Sequence, residues 1–503
     1  MHNRTALVHL RISPLRVRAY IAVLTLLVAG LAIAQTARKA TQREVEEQCD
    51  KLNIRHNARM VTDTSPAFVT VPSYAYPADH PDFDVAKTPP PIDFAIVQVT
   101  PEYLENGTYG GWGENRLGPD GKYYFSIGNH RDYGGADAFL IAYDPATKTH
   151  ETVLSSMQVC GWGPQDFGDA KLHGEPDIAP NGDMWLLTFY GPYPKLADWG
   201  KNYHGGHLIR FNIFTRKAEY LGRPVADDSW PIHVWDWKRN LLLAVGEWGL
   251  HHDQDKQQGV RDQRFDYGKI LVYDTKARRL VYAGVPEAKG TKPPERIRWW
   301  RRGLLLDRET GMLYGAESVA PYRMARYDPR KNEFRWTKTQ LKERLLSWPT
   351  TKSPDGAFWL FDYAGNMYKF FPKQDRVEEY GKNWLNGAYI QNMRLSPGGR
   401  YLYYISESSQ EGSRYGLPLV QYDTLKNRKK VIAFLEDFYV DKYGYAASNT
   451  YGVSLSADGS SVFTHMNGRF AASREQAAYG RPAIYHIHIP ASERADDRAP
   501  GRR

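Results

Sequence analysis

Short apolar segments rich in aromatic and β-branched residues recur from residue 94 to residue 489, and turn-forming residues separate them. In each repeat a Pro-Asp-Gly-like turn precedes an aromatic strand, a loop of variable length follows, and the next strand ends near Tyr-Asp. Proline presets φ for the second turn position, and glycine accepts the positive φ that such turns require. The pattern predicts seven similar units, whose second and third strands lie at Tyr123–Phe125 and Ile141–Pro145, Met184–Phe189 and Leu208–Asn212, Leu241–Val245 and Ile270–Asp274, Met312–Tyr314 and Met324–Pro329, Phe358–Phe361 and Met367–Phe370, Tyr401–Tyr404 and Leu419–Asp423, and Val462–Thr464 and Ile484–His488.

The spacing of these units predicts how they assemble. Seven four-stranded repeats of roughly 40–50 residues are typical of a propeller rather than a sandwich, because each sheet can bury both of its faces only against its neighbours. The seventh unit runs out of sequence after Ile489, so we expect the strand Phe94–Thr100 to pair with residues 483–489 and close the ring. The predicted fold class is all-β, a seven-bladed β-propeller closed by an N-terminal strand, with a short N-terminal helix.

The segments that flank the propeller are predicted to differ from it. A basic leader precedes the apolar run Tyr20–Ala34, which ends in the small-residue pattern Ala32-Ile33-Ala34. This is typical of a secretory signal, because the run is short of the roughly 20 residues that a membrane helix needs. The predicted domains are a signal peptide at 1–34, an N-terminal helix and extended wrap at 35–92, the propeller at 93–490 and a disordered basic tail at 491–503. We expect a secreted or periplasmic protein without a membrane span after signal cleavage, and an uncleaved N-terminal anchor is the alternative.

Composition and charge narrow the classes of function. Aromatic residues make up 13% of the 503 residues, too many for a disordered chain. The net charge of +9, from 66 Lys and Arg against 57 Asp and Glu, gives a mild bias toward anionic partners. No dense basic run accompanies a known motif, so nucleic acid is not an expected partner. Two cysteines, Cys49 and Cys160, are too few for a zinc cage, and a disulfide between them and two unpaired thiols are equal alternatives.

The repeat register also predicts which residues share a face of the ring. The start of each first strand and the loop between the second and third strands lie on the same side of a blade, here called the upper face. Histidine exchanges protons and binds metals near neutral pH, so histidines gathered on such loops predict a functional site. Six of the 15 histidines fall on the upper face of units one to three: His130, His173, His204, His207, His251 and His252. Later units add Arg298, Trp300, Glu317, Trp348, Gln391, Asn392, Asn449, Tyr451 and His465.

Units one and two resemble the propeller-type polysaccharide lyases, the ulvan lyases in particular. The matching segments are Ser126-Ile-Gly-Asn-His-Arg-Asp-Tyr-Gly-Gly135, Phe139–Asp144, Leu172-His-Gly-Glu-Pro-Asp-Ile-Ala-Pro-Asn-Gly182, Phe189-Tyr190 and His207–Phe211. The resemblance implies cleavage of an anionic, uronic-acid-containing polysaccharide or oligosaccharide by β-elimination. It implies no required cofactor.

Elimination at a uronic acid needs three groups. One neutralises the carboxylate, a base removes the C5 proton, and an acid protonates the departing O4. Arginine suits the first task because its two parallel donors grip a carboxylate. The resemblance implies a catalytic set of His130, His173 and Tyr190. The expected substrate-binding set is Arg131, His207, Arg210, Arg298, Trp300 and Tyr451, in which Arg210 matches the arginine of the family and Arg131 and Arg298 are substitutes.

Two other classes of function stay open at this point. One is a metal-dependent propeller lyase or hydrolase, in which a divalent metal binds His251-His252-Asp253 or His173 and Glu175, although these spacings are weak metal signals. The other is a non-catalytic propeller that binds a glycan or a protein through aromatic residues on its rim.

Overall fold

Seven β-sheets arranged in a ring form the described part of the chain, which confirms the predicted all-β propeller. The computed structural model describes residues 60–76, 82–97, 109–131, 133–163, 165–192, 194, 198–246, 269–300, 302–346, 352–385, 387–406, 416–471, 473–477 and 479–497. The predicted signal peptide, the predicted helix at residues 36–58 and Cys49 lie outside these ranges. Within them, no helix combines the length and the apolar character that crossing a membrane requires.

The segment before the propeller contributes strands to two of the sheets. It contains β1 (Val61–Asp63), a 3₁₀ helix (Pro66–Val69), β2 (Phe83–Val85) and β3 (Ile92–Ile96). The Ser65 hydroxyl caps the 3₁₀ helix by accepting a hydrogen bond from the Ala67 backbone N–H at 3.2 Å. β1 pairs with β3, and β2 lies parallel to the outer strand of the sixth sheet. The predicted extended wrap is therefore partly built into the blades.

Blades 1 to 3 follow the predicted units closely, and three of their predicted strands match the structure at both ends: Leu208–Asn212, Leu241–Val245 and Ile270–Asp274. Blade 1 contains β4 (Asn115–Leu117), β5 (Tyr123–Gly128), β6 (Ala138–Asp144) and β7 (Thr149–Ser155), with helix α1 (Ser156–Cys160) after it. Blade 2 contains β8 (Asp183–Leu187), β9 (Leu208–Asn212) and β10 (Lys217–Tyr220), and blade 3 contains β11 (Ile232–Asp236), β12 (Leu241–Val245), β13 (Ile270–Asp274) and β14 (Arg279–Gly284).

Blades 4 to 6 complete the far side of the ring. Blade 4 contains β15 (Glu287–Ala288), β16 (Glu295–Arg296), β17 (Leu305–Asp307), β18 (Met312–Ala316), β19 (Arg323–Asp328) and β20 (Glu333–Gln340). Blade 5 contains β21 (Phe358–Phe361), β22 (Asn366–Phe371) and β23 (Arg376–Lys382), and blade 6 contains β24 (Arg394–Leu395), β25 (Tyr401–Ile405), β26 (Pro418–Asp423) and β27 (Arg428–Phe434).

Blade 7 closes the ring as the sequence predicts. It contains β28 (Tyr445–Leu455), β29 (Ser461–Phe470) and β30 (Ala483–His488), and helix α2 (Asp437–Tyr443) precedes it. β3 pairs antiparallel with β30, so that Ile92 faces Ile487 and Ile96 faces Ala483. The closing strand begins two residues before the predicted start at Phe94.

The hydrophobic core is divided among the interfaces between neighbouring blades. In β5, Tyr123 and Phe125 pack toward blade 7 with Phe463, whereas Tyr124 packs toward blade 2 with Met184. Side chains alternate between the two faces of a strand, so a strand buried on both faces needs large apolar residues at successive positions. This explains why the aromatic strands of the repeats read as continuous apolar runs.

The start of the predicted disordered tail is ordered, which corrects that prediction. Residues Ala491–Glu493 form a 3₁₀ helix, and the Glu493 side chain is buried. Its carboxylate accepts backbone hydrogen bonds from Lys87 at 2.8 Å and Thr88 at 3.2 Å and pairs with Lys430 at 2.9 Å. These contacts fix the segment because a buried carboxylate has to be compensated.

Candidate functional site at the upper face

The loop after β5 holds His130 at the upper face. The Asn129 side chain organises this loop by donating to the Gly135 carbonyl at 2.7 Å and accepting from the Asp137 backbone N–H at 3.0 Å. His130 has a φ of 51°, in the left-handed region that non-glycine residues rarely occupy. Its ring lies against the Trp112 indole, with ring centroids 4.8 Å apart. A strained backbone that aims a half-buried imidazole at an aromatic surface is typical of a functional position.

His173 approaches the same place from blade 2. The side chain is 5% exposed, and its ring meets Phe189 edge-on at 6.0 Å and Tyr451 edge-on at 5.8 Å. The Trp112 ring lies 6.0 Å from Tyr451. Trp112 and Tyr451 therefore connect the two histidines that the sequence singled out.

Arg302 completes the group from blade 4. Its guanidinium carbon lies 5.7 Å from the centre of the Tyr451 ring. The guanidinium also donates to the Gln391 side-chain oxygen at 2.8 Å and to the Tyr389 hydroxyl. We call the set of Trp112, His130, His173, Arg302 and Tyr451 the upper mouth.

Two of these five residues, Trp112 and Arg302, do not appear among the predicted site residues. Both occur near the start of a first strand, where the repeat register alone places them on the upper face. Arg298, Trp300 and Arg302 are spaced two residues apart in the sequence. Every second side chain of an extended segment points to the same side, and this spacing is the signal that could have identified Arg302.

The electrostatics of the upper mouth keep one imidazole uncharged. Burial, together with the nearby Lys171 ammonium, lowers the pKa of His130 to about 3. The Lys171 ammonium lies over the Trp112 ring at 4.7 Å and over the Phe189 ring at 5.3 Å. At neutral pH His130 is therefore uncharged and a weaker base than an ordinary histidine, while Arg302 and Lys171 supply positive charge.

A buried carboxyl group lies in the same region. Glu114 is 2% exposed, and the Asn392 amide donates to its Oε2. Burial raises the pKa of Glu114 well above its usual range, although Arg394 opposes the shift. This direction favours the protonated form of the carboxyl relative to that of an ordinary glutamate.

Three predicted residues lie away from the upper mouth. Tyr190 has no exposed surface and packs with Phe167, Phe189 and Tyr203, so its hydroxyl does not line an open cleft. His207 is buried against the Trp162 ring at 5.2 Å, and its Nδ1 lies 3.1 Å from the Tyr220 hydroxyl. Arg210 lies within β9 and pairs with Asp183, at the start of β8, at 2.9 Å.

The remaining predicted residues are on the upper face but are not part of the upper mouth. Arg131 is exposed on the His130 loop, and its backbone N–H bonds the Asn129 side chain at 3.2 Å. Arg298 is half-buried, and its carbonyl accepts from the Ser318 N–H at 2.8 Å. Trp300 is buried, with the Tyr363 ring 5.7 Å away and the Arg344 guanidinium carbon 5.1 Å from its ring.

The structure describes only part of the predicted metal ligands. His251, His252 and Asp253 lie outside the described residues. Glu175 is held by guanidinium groups, with Arg116 at 3.0 Å and Arg394 at 3.4 Å from its Oε1, so this carboxylate is already neutralised. The pair His173 and Glu175 therefore does not make a cation site.

Among the described residues, one further group has ligands spaced for a metal: Asp93, His486 and His488. The Asp93 carboxylate already bonds the Lys148 ammonium at 2.7 Å and His488 Nε2 at 2.8 Å. A lysine ammonium on the same carboxylate opposes a metal cation by charge repulsion. This group therefore fits a polar clamp across the closing strands β3 and β30 better than a metal centre.

Comparisons with known proteins extend no further than the fold. No family model matches the chain, and no curated protein matches it. One chain from the solved structure titled "Crystal Structure of Mitotic Checkpoint Complex" has a TM-score of 0.45 at 8% identity, covering 84% of this chain and 96% of that one. Another, from "Kuenenia stuttgartiensis Hydrazine Synthase", has a TM-score of 0.43 at 12% identity, covering 73% and 95%. Similarities this distant carry no argument about function.

Proposed function

We propose that the chain is an exported polysaccharide lyase that cleaves an anionic, uronic-acid-containing polysaccharide, ulvan-like in class, at the upper mouth. The observation that carries the proposal is the convergence of a histidine, a tyrosine and an arginine on one place. The Tyr451 ring has His173 at 5.8 Å and the Arg302 guanidinium carbon at 5.7 Å. These three side-chain types suit the neutralising, proton-accepting and proton-donating tasks of β-elimination at a uronic acid.

Each side chain has a definite task in this reaction. Arg302 holds the substrate carboxylate and stabilises the negative charge that develops when the C5 proton leaves. His130 or His173 takes that proton as an uncharged base. The C4–O4 bond then breaks, a double bond forms between C4 and C5, and Tyr451 gives its hydroxyl proton to O4. Transfer of the proton from the imidazolium or water to the tyrosinate restores the site.

This arrangement moves the tyrosine role from Tyr190 to Tyr451. The resemblance to the ulvan lyases implies Tyr190, but a hydroxyl enclosed by Phe167, Phe189 and Tyr203 cannot meet a polymer unless that cluster opens. Tyr451 lies beside Trp112, His173 and Arg302 of the upper mouth. The resemblance still supports His130 and His173.

Activity on a panel of uronic acid polymers tests the proposal through the ultraviolet absorbance of the unsaturated product. We expect one polymer class to give this product and Arg302→Gln to abolish it, because a neutral amide cannot neutralise the carboxylate. Arg330→Gln is the matched control, since Arg330 is an exposed arginine in the blade 4 turn that pairs with Asp328. Binding of a polymer without unsaturated product would favour a glycan-binding propeller. Loss of activity in a chelator would favour a metal-dependent enzyme.

A further inference from the structure

A second opening lies on the ring axis at the lower face, opposite the upper mouth. It is a cavity of about 580 Å³ to which all seven blades contribute lining residues. This volume lies within the range of small-molecule sites. Its charged lining residues are four cations and one carboxylate among the described residues: Arg116, Arg308, Lys352, Arg394 and Asp177. We call these five residues the lower mouth.

The three arginines of the lower mouth outnumber the two carboxylates that they contact. Asp177 Oδ1 accepts hydrogen bonds from Arg116 at 2.6 Å and from Arg308. Glu175 Oε1 lies 3.0 Å from Arg116 and 3.4 Å from Arg394. Three guanidinium groups thus share two carboxylates. Lys352 is bonded separately, to Asp307 and Glu309, each at 2.8 Å.

Arg394 has the weakest compensation of the three arginines. Only 8% of its side chain is exposed. Its hydrogen bonds to the Met393 carbonyl, the Asn115 carbonyl and Glu175 measure 3.3, 3.4 and 3.4 Å, all longer than a typical N–H···O bond. Burial lowers the pKa of Arg394, which is the direction expected for a charge that its partners do not fully stabilise.

We propose that the lower mouth binds a small organic molecule through a carboxylate or phosphate group, with Arg116, Arg308 and Arg394 as donors. Guanidinium forks match the paired oxygens of both groups. An anion there would give Arg394 a stronger partner than its present long hydrogen bonds. Apolar wall residues such as Leu117, Ile178 and Trp237 limit water around the ligand, which strengthens the ionic contacts.

An anion can reach two of these donors, Arg116 and Arg308, from solvent. The exposed fraction of the side chain is 29% for Arg116 and 31% for Arg308. This site is independent of the proposed elimination, because it lies at the other end of the ring axis and shares no residue with the upper mouth.

Calorimetric titration of the protein with citrate and with inorganic phosphate, at constant ionic strength set by chloride, tests the proposal. We expect saturable binding of at least one probe with one site per chain. Citrate alone would indicate an organic carboxylate ligand, and phosphate alone a phosphorylated one. Arg308→Gln should weaken binding about tenfold or more, the effect of losing a charged hydrogen bond. Arg330→Gln removes the same charge from a lower-face turn outside the cavity and should change binding less than about twofold, as expected for a screened surface charge.

A second measurement uses the unaltered protein, so that the contacts of Asp177 stay intact. Phenylglyoxal modifies accessible arginines, and mass spectrometry reports each site. The bound probe should protect Arg116 and Arg308 but not Arg330, whose side chain is 67% exposed. Absence of saturable heat with both probes, equal weakening in the two variants, or equal protection of all three arginines would overturn the proposal. None of these outcomes depends on whether the upper mouth carries out elimination.

Discussion

The Tyr451→Phe substitution is the sharpest test of the upper mouth, because it removes one hydroxyl and keeps the ring. The ring contacts with Trp112, His173 and Arg302 remain, and the variant loses the hydrogen bond to the Tyr479 hydroxyl at 3.2 Å. Loss of one such bond costs about 1 kcal/mol of stability. The variant should therefore stay folded, which urea unfolding followed by tryptophan fluorescence can verify.

The catalytic effect should be much larger than the effect on stability. A positioned general acid contributes about 100- to 10,000-fold to a rate, which corresponds to roughly 2.7–5.4 kcal/mol of transition-state stabilisation. Because Tyr451 donates its proton only as the C4–O4 bond breaks, we expect the loss in kcat with little change in KM. Steady-state rates of unsaturated-product formation on the polymer identified by the panel give both constants.

Tyr220→Phe is the matched control for this measurement. The Tyr220 hydroxyl makes a hydrogen bond of similar length, 3.1 Å to His207, on the outer strand of blade 2. It should lose comparable stability and retain turnover. A Tyr451→Phe enzyme with near wild-type kcat would refute the role given to this hydroxyl. Loss of turnover in Tyr190→Phe alone would return the role to Tyr190 and contradict the reasoning from burial.

Three further predictions concern protonation and stability. His465 is fully buried, and burial lowers its pKa to about 3. Between about pH 6.5 and 3 the unfolded chain binds a proton that the folded chain does not, so the free energy of unfolding should fall by about 1.4 kcal/mol for each unit by which the pH is lowered. His465→Gln should show a flatter pH dependence of urea unfolding. Glu114→Gln should change stability at pH 7 by less than about 1 kcal/mol, because glutamine mimics a neutral carboxyl, and a much larger loss would show that Glu114 is ionised. Phe94→Ala should lower the free energy of unfolding by about 3–5 kcal/mol, because its fully buried phenyl ring lies 4.5 Å from the Tyr439 ring and 5.1 Å from the Tyr485 ring. An unchanged urea midpoint would show that β3 does not hold the propeller closed.

The sequence was sufficient to predict the fold because short-range turn and strand signals mark each repeat. Turn residues at fixed offsets from aromatic strands, such as Gly118-Pro-Asp-Gly121 before β5, mark each blade without reference to the others. The missing strand of the seventh unit pointed to the N-terminal segment as its partner, and Ile92 opposite Ile487 confirms that closure. The order of residues 491–497 escaped prediction, because it depends on Glu493 reaching Lys87 and Thr88, which are distant in sequence.

The candidate site could be predicted only as far as the face on which its residues lie. Register placed His130, His173 and Tyr451 on the upper face, but whether a side chain there is open or enclosed depends on packing between loops of different blades. Tyr190 and Tyr451 look alike in the sequence, yet the first is sealed by Phe167 and Tyr203 and the second lies beside Arg302. Likewise Arg116, Arg308 and Arg394 are far apart in the chain and share Glu175 and Asp177 only because the ring brings three blades to its axis. Local turn and strand preferences act over a few residues, whereas burial and charge pairing are set by contacts between blades, so the sequence by itself determined the blades and the tertiary structure decided the sites.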